Sequence, residues 1–151
     1  MNYKMILQYD GTRYNGWQKQ GNTDNTIQGK LETLLSRIAG EPVEIHGAGR
    51  TDAGVHAAGQ VANAKFHTDL SDEELLQTIN HYLPEDIEVT SLARMPERFH
   101  SRLNAVGQNI RIPYRDRWQK ACFRAEIRVF SGSTARCGKN ERSIESVYRN
   151  V

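Results

Sequence analysis

The sequence predicts an α+β fold in which strands and helices follow one another as β-α-β-β-α-β, the ferredoxin-like arrangement. Two observations support this prediction. Four segments have the apolar patterns of strands, and two longer segments carry apolar residues at helical spacing. Residues that commonly begin or end helices stand at the boundaries of both helical segments. All six elements lie within residues 1–108 of the 151-residue chain.

The first strand and the first helix have the clearest patterns. Residues Tyr3–Asp10 alternate between apolar and polar side chains, which is typical of a half-buried strand. In residues 27–38, apolar side chains recur three or four positions apart and form a stripe along one helix face. Asn25 or Thr26 can cap the start of this helix, and Gly40 can end it.

A glycine-rich loop separates the two middle strands. Val43–His46 is predicted as a short strand, and Gln60–His67 as the next one, although its alanines weaken that assignment. The loop between them, Gly47–Gly59, contains four glycines. Glycine permits positive φ angles and close approach of a ligand, so this loop is a candidate for function.

The second helix is marked at both ends. Ser71 followed by Glu74 matches a capping box, and Leu70 with Leu75 matches the hydrophobic staple that accompanies such caps. Pro84 ends the helix because proline cannot continue it. A last strand then covers residues 87–95.

The charge distribution divides the chain near residue 109. Residues 1–108 contain 10 Lys and Arg against 14 Asp and Glu, whereas residues 109–151 contain 10 against 4, and eight of those ten cations are arginine. One folding unit rarely changes character so sharply. We therefore predict two pieces, 1–108 and 109–151.

Composition also bounds the class of protein. No apolar segment approaches the roughly 20 residues that span a membrane, and the first residues lack the apolar core of a signal peptide. Cys122 and Cys137 form no C-x-x-C pair, and no set of ligand-type residues has metal-binding spacing. We expect a soluble, cytoplasmic protein without a metal and without membrane association.

The centre of the glycine-rich loop carries three reactive side chains. Arg50, Thr51 and Asp52 supply a guanidinium, a hydroxyl and a carboxylate in consecutive positions. An ionised carboxylate can act as a nucleophile. A neighbouring arginine favours the charged form and can bind phosphate. On spacing alone, an ordinary turn with a surface arginine explains the same residues.

Residues 49–57, G-R-T-D-A-G-V-H-A, resemble the catalytic motif of the TruA family, the tRNA pseudouridine(38–40) synthases. Other segments are similar to that family as well: Y-D-G-T at 9–12, G-W-Q at 16–18, T-I-Q at 26–28, G-Q-V at 59–61, F-H-S-R at 99–102 and A-V-G at 105–107. The resemblance covers residues 1 to about 108, which it identifies as the N-terminal half of a pseudouridine synthase catalytic domain.

The resemblance implies an isomerase that needs no cofactor. Asp52 matches the aspartate that attacks a uridine of the tRNA anticodon stem-loop, at the base or at the ribose, and Arg50 matches the arginine that pairs with it. The target base must leave the stack to be reached. Members of the family are homodimers that bind tRNA across a positively charged cleft.

Further RNA contacts are predicted at basic and aromatic residues around these motifs, with ordinary packing or surface roles as the alternative. They are Arg13, Trp17, Lys19, His56 and Arg102.

After Gly107 the sequence leaves the family pattern, which continues G-K-x-Y-x-Y-R with a tyrosine that stacks on the target uracil. Ile110 stands where that tyrosine is expected, and isoleucine has neither an aromatic face nor a hydroxyl. Codons permitted for residues 109 onward, read one base later, can spell I-Y-V-Y-R followed by a family-like continuation.

We therefore hypothesise a one-base insertion near codon 109. Residues 109–151 would then be out of frame and loosely ordered, the chain would be truncated and inactive, and the sheet would expose an apolar edge and face. Two alternatives are a non-catalytic RNA-binding module that uses the Arg-rich tail and a nonfunctional pseudogene product.

Overall fold

A four-stranded antiparallel sheet with two helices dominates the computed structural model, which describes residues 1–21, 23–115 and 122–129. The chain forms two compact units, Met1–Asn104 and Ala105–Val151. The first unit contains β1 (Asn2–Tyr9), a 3-10 turn (Gly11–Arg13), α1 (Ile27–Ala39), β2 (Ile45–Gly47), β3 (Ala57–Lys65), α2 (Asp72–Tyr82) and β4 (Ile87–Met95). The α+β class is confirmed, and the six predicted elements occur in the predicted order.

The strand order in this sheet is β2-β3-β1-β4. Each pair of neighbours is antiparallel, so β1 runs parallel to β2, with β3 between them, and β3 runs parallel to β4, with β1 between them. Each helix therefore links two parallel strands that are separated by a third strand, which is a split β-α-β unit.

The core lies on the face of the sheet that the helices cover. Alternate residues of β1 point into it and are almost fully buried: Tyr3, Met5, Leu7 and Tyr9. They belong to one apolar cluster with the predicted stripe residues of α1 and with Leu75 and Ile79 of α2. Burying each of these side chains contributes roughly 1.5–3 kcal/mol to the free energy of folding and stabilises the packing of the helices on the sheet.

Both helices begin at the predicted caps. Of the two candidates for α1, Thr26 is the cap, because its hydroxyl accepts the Gly29 amide at 3.1 Å. Gly40 ends the helix with a φ of +71°, a backbone conformation that favours glycine. At α2 the capping box is complete, since the Ser71 hydroxyl accepts the Glu74 amide and the Glu74 carboxylate accepts the Ser71 amide.

Replacing the α2 cap is expected to destabilise the first unit measurably. Ser71→Ala removes the acceptor of the Glu74 amide and the hydroxyl that lowers the pKa of the Glu74 carboxyl. The free energy of unfolding, measured by urea denaturation, should fall by about 1 kcal/mol. Ser91→Ala, at an exposed position in β4, is the control, and an equal loss there would contradict the role of the cap.

Two strand boundaries were predicted wrongly, on either side of the glycine-rich loop. The short strand is Ile45–Gly47 instead of Val43–His46, and β3 covers Ala57–Lys65 instead of Gln60–His67. The error at β3 has a physical reason: its first residues are alanine and glycine, which have weak strand propensity, yet Ala57 pairs with Tyr9 of β1. The connecting loop is consequently shorter, residues 48–56.

The face of the sheet opposite the helices is mixed rather than apolar. Lys4 and Gln8 alternate there with Ile6, so the expected exposed apolar face is not found on the central strand of the described sheet. The segment 96–104 lies against this face at one end: the Asn2 side chain donates to the Pro96 carbonyl, and the Ser101 amide donates to the Asn63 side chain.

The second unit contains β5 (Gln108–Arg115) and β6 (Cys122–Val129), which pair as antiparallel neighbours. No helix or strand is predicted for this region from the amino-acid pattern. The division between the units falls between Asn104 and Ala105, a few residues before the predicted boundary at 108. Cys137 and the rest of residues 130–151 lie outside the described residues, so the predicted loose order of 109–151 stays a prediction.

Candidate active site

Asp52 lies on the loop of residues 48–56, which connects β2 to β3 and is called the Asp52 loop below. Its carboxylate is exposed. The beginning of the loop is bound to β3, since the Ala48 amide donates to the Val61 carbonyl at 2.7 Å and the Gln60 side chain donates to the Gly49 carbonyl at 2.6 Å. The carboxylate is therefore presented to solvent from a backbone that is fixed on the sheet.

The segment of residues 9–17 supports the Asp52 loop from behind. The Trp17 amide donates to the Thr51 carbonyl at 2.9 Å, and the hydroxyls of Tyr9 and Thr51 share a hydrogen bond of 2.8 Å. On the other side of Asp52, the Gly54 amide donates to the Tyr14 carbonyl at 3.2 Å. Thr51 and Gly54, which flank the carboxylate within two residues, are thus both held.

Three glycines allow the loop and its support to approach closely. A Cβ at Gly11 would overlap the Val55 carbonyl oxygen, and one at Gly16 would stand 2.6 Å from the Thr51 oxygen. Gly47 packs against the Trp17 ring, where a Cβ would lie 2.7 Å from a ring atom. The family-like segments 9–12 and 16–18 therefore pack against the loop that contains most of the 49–57 motif.

Arg50 and Asp52 are not paired in this structure. Both side chains are exposed, and within the described residues no ion pair or hydrogen bond joins them. The pairing expected from the resemblance is therefore absent here. An ion pair between two hydrated side chains gains little free energy in water, so two exposed side chains have no strong reason to pair.

Trp17 is not placed to stack on a nucleotide, which corrects the prediction. Its side chain is 3% exposed and belongs to the apolar core. Because burying so large a ring is favourable, the indole packs over Gly47 while the backbone amide holds Thr51. Its observed role is to support the Asp52 loop.

The other predicted RNA contacts remain exposed, and three of them have acidic partners. Arg13 pairs with Asp86 at 2.7 Å, Lys19 with Glu32 at 3.3 Å, and the His56 ring with Asp10 at 3.1 Å. Arg102 is exposed on the segment 96–104. Contact of these residues with RNA stays a prediction.

Asp86 and Tyr14 also belong to the surroundings of the site, although neither is a predicted site residue. The Tyr14 hydroxyl donates to the Asp86 carboxylate at 2.6 Å. Burial, and then this hydrogen bond, raise the pKa of Tyr14. Burial by itself would raise the pKa of Asp86, but the hydrogen bonds from Tyr14 and Arg13 outweigh it and lower that pKa. The two residues are 72 positions apart, so no local pattern could have connected them.

Within residues 1–21, 23–115 and 122–129, no group of His, Cys, Asp and Glu side chains is arranged to bind a metal ion. No helix in that part of the chain is long and apolar enough to cross a membrane. Ile110, at the position of the family's stacking tyrosine, lies in β5 and is 40% exposed.

Comparison with known proteins gives consistent matches to the first unit. A sequence profile described as tRNA pseudouridine synthase matches residues 5–104. A tRNA pseudouridine synthase A of Bacillus sp. strain KSM-64 is 58% identical over 104 residues, covering 69% of this chain and 43% of that protein. A tRNA pseudouridine synthase A 1 of Clostridium tetani is 52% identical over 105 residues, covering 68% and 42%. This chain thus spans less than half the length of these relatives.

Proposed function

The chain belongs to the tRNA pseudouridine synthase family, and we propose that Asp52 is the nucleophile of a uridine-to-pseudouridine isomerisation in tRNA. One observation carries this proposal: the Asp52 carboxylate is exposed on a loop whose backbone is held on both sides of it. A nucleophile must be both accessible and fixed in direction. The resemblance points to uridines 38–40 of the anticodon stem-loop as the targets.

The proposed reaction is balanced without a co-reactant. The Asp52 carboxylate attacks the base or the ribose, and the bond between C1′ and N1 breaks. The uracil turns and a bond between C1′ and C5 forms. The bond between Asp52 and the ribose or the base breaks and returns the free carboxylate, the C5 hydrogen leaves as a proton, and N1 gains a proton. Substrate and product are isomers, so no electron acceptor and no cofactor is required.

Arg50 would act once the target nucleotide covers the loop. Removal of water strengthens the attraction between two charges severalfold, so the exposed Arg50 guanidinium would then pair with the Asp52 carboxylate two residues away or bind a phosphate of the flipped nucleotide. Arg13, Lys19, His56 and Arg102 would contribute phosphate contacts around the loop. A homodimer and a cytoplasmic location are proposed from the resemblance alone.

The chain as it stands is proposed to be inactive. The family profile ends at residue 104, and the chain departs from the family motif after Gly107. Ile110 cannot stack on uracil as a tyrosine does. A one-base insertion near codon 109 accounts for these features together with the change of charge, and the coding sequence of codons 105–115 tests it. A coding sequence whose shifted reading frame encodes no family-like continuation would refute the insertion hypothesis.

A second candidate function is RNA binding without catalysis. The observation in its favour is the excess of arginine after residue 108, because arginine-rich segments bind nucleic-acid backbones. The third possibility, a pseudogene product, predicts neither binding nor turnover.

One pair of measurements on this chain distinguishes catalysis, RNA binding without catalysis, and the lack of both. Tritium release from tRNA labelled at C5 of uridine reports turnover, and tRNA affinity measured at several salt concentrations reports phosphate contacts. We expect no tritium release. Salt-dependent binding would then favour the RNA-binding module, and no binding the inactive fragment. Release that depends on Asp52 would show that residues 1–108 suffice for catalysis and would overturn the proposed inactivity.

A further inference from the structure

We propose that Asp86 is a positioning residue for the Asp52 loop and acts on it through Tyr14. The inference rests on the proposed function of Asp52 and adds to it a residue of the turn between α2 and β4, outside every motif that resembles the family.

The geometry connects Asp86 to the loop in two steps. The Asp86 carboxylate accepts the Tyr14 hydroxyl at 2.6 Å, and the Tyr14 carbonyl accepts the Gly54 amide at 3.2 Å. In addition, the Asp86 carbonyl accepts the Asp10 amide at 2.9 Å. The supporting segment, residues 9–17, is therefore attached to the turn before β4 through the Tyr14 side chain and through the Asp10 backbone amide.

The charges favour this arrangement. The Asp86 side chain is 13% exposed and receives two guanidinium contacts from Arg13, at 2.7 and 3.1 Å, besides the phenol of Tyr14. A largely covered carboxylate requires such donors to remain ionised. Arg13 is 76% exposed and contributes less to fixing the segment, because a hydrated ion pair is weak.

Amide hydrogen exchange on the full chain tests the proposal at the site of its effect. Asp86→Ala should accelerate exchange of the Gly54 amide about tenfold, the consequence of losing a hydrogen bond to a charged acceptor. Tyr14→Phe, which removes only the hydroxyl, should have the same effect, and the double variant should add nothing. The carboxyl carbon resonance of Asp52 should shift in both single variants.

Two further variants distinguish positioning from general stability. Asp86→Asn keeps an oxygen that accepts the Tyr14 hydroxyl and should restore slow exchange at Gly54. Asp72→Ala removes an ion pair with Arg94, which joins the start of α2 to the end of β4, and should leave exchange of the Gly54 amide unchanged. Unchanged Gly54 exchange in Tyr14→Phe, or equal acceleration in Asp72→Ala, would overturn the proposal.

The pH dependence provides an independent readout. The groups that face the Asp86 carboxylate are Tyr14 and Arg13, and their hydrogen bonds lower its pKa below 3.8. Protection of the Gly54 amide against hydrogen exchange should therefore be complete above pH 3.8. It should decline as the pH falls through the pKa of Asp86 in the folded protein. Asp86→Asn should abolish this decline, and persistence of the decline in that variant would contradict the assignment.

Failure of this inference and failure of the proposed function are distinguishable. The exchange and resonance measurements do not depend on turnover. If they give the expected results while Asp52 is dispensable for tritium release in a frame-restored protein, Asp86 positions the loop but Asp52 is not the nucleophile.

Discussion

Deleting one base near codon 109 of the gene is expected to yield a protein that releases tritium from C5-labelled tRNA. In that protein, Asp52→Ala should reduce the rate on the order of 10⁴-fold, because the substitution removes the attacking group itself and not a supporting contact. The measurement is the initial rate of tritium release at saturating tRNA. It is compared with the unrepaired chain, for which no release is expected.

The matched control replaces a carboxylate outside the site. Asp69 is exposed and lies before α2, so Asp69→Ala in the frame-restored protein should stay within about twofold of its parent, as surface substitutions commonly do. Two results would contradict the prediction. A repaired frame that soon reaches a stop codon would refute the insertion hypothesis. Undiminished tritium release by Asp52→Ala would refute the assignment of Asp52 as the nucleophile.

Substitution of Gly11 by alanine is expected to have the largest effect on stability. The added Cβ would lie only 2.0 Å from the Val55 carbonyl oxygen, which is far inside van der Waals contact. Because the obstacle is backbone and not the end of a flexible side chain, the Asp52 loop and its supporting segment must separate. The hydrogen bonds from Trp17 to Thr51 and from Gly54 to Tyr14 would then be strained or lost. We expect the free energy of unfolding to fall by about 3 kcal/mol.

Gly59→Ala is the control for this substitution. Gly59 lies in β3, and an added Cβ would meet nothing within 4 Å, so its effect should stay within about 0.5 kcal/mol. Urea denaturation of both variants gives the comparison. If Gly11→Ala were as stable as the unsubstituted chain, the close packing of residues 9–17 against the Asp52 loop would be refuted.

The features that were predicted correctly depend on nearby residues. The stripe in residues 27–38 and the cap at Ser71 each lie within one helix, where positions three or four apart are neighbours by geometry alone. The strand boundaries near Gly47 and Ala57 were wrong because they depend on which strand lies alongside. Ala57 extends β3 because it pairs with Tyr9, a partner that local composition does not reveal.

The residues of the candidate site also differ in whether a local pattern could reveal them. Asp52 was identified through the resemblance of residues 49–57 to a family motif, because loop composition alone fits an ordinary turn as well. Trp17 was misjudged, since an aromatic residue in a polar segment suggests an exposed ring until its burial against Gly47 is known. Asp86 had no pattern at all. Its relation to Tyr14 spans 72 positions and exists only in the folded chain.

The amino-acid sequence by itself determined the α+β class, the order of the elements in the first unit and the position of the candidate nucleophile, because helix periodicity, caps and the loop motif are encoded by neighbours in the chain. Only the tertiary structure decided that Trp17 is buried, that no ion pair joins Arg50 and Asp52, and that Asp86 supports the loop. Burial and hydrogen bonding between distant segments depend on how the whole chain packs. Other sequences with the same local patterns could fill the same core and make such contacts with different residues.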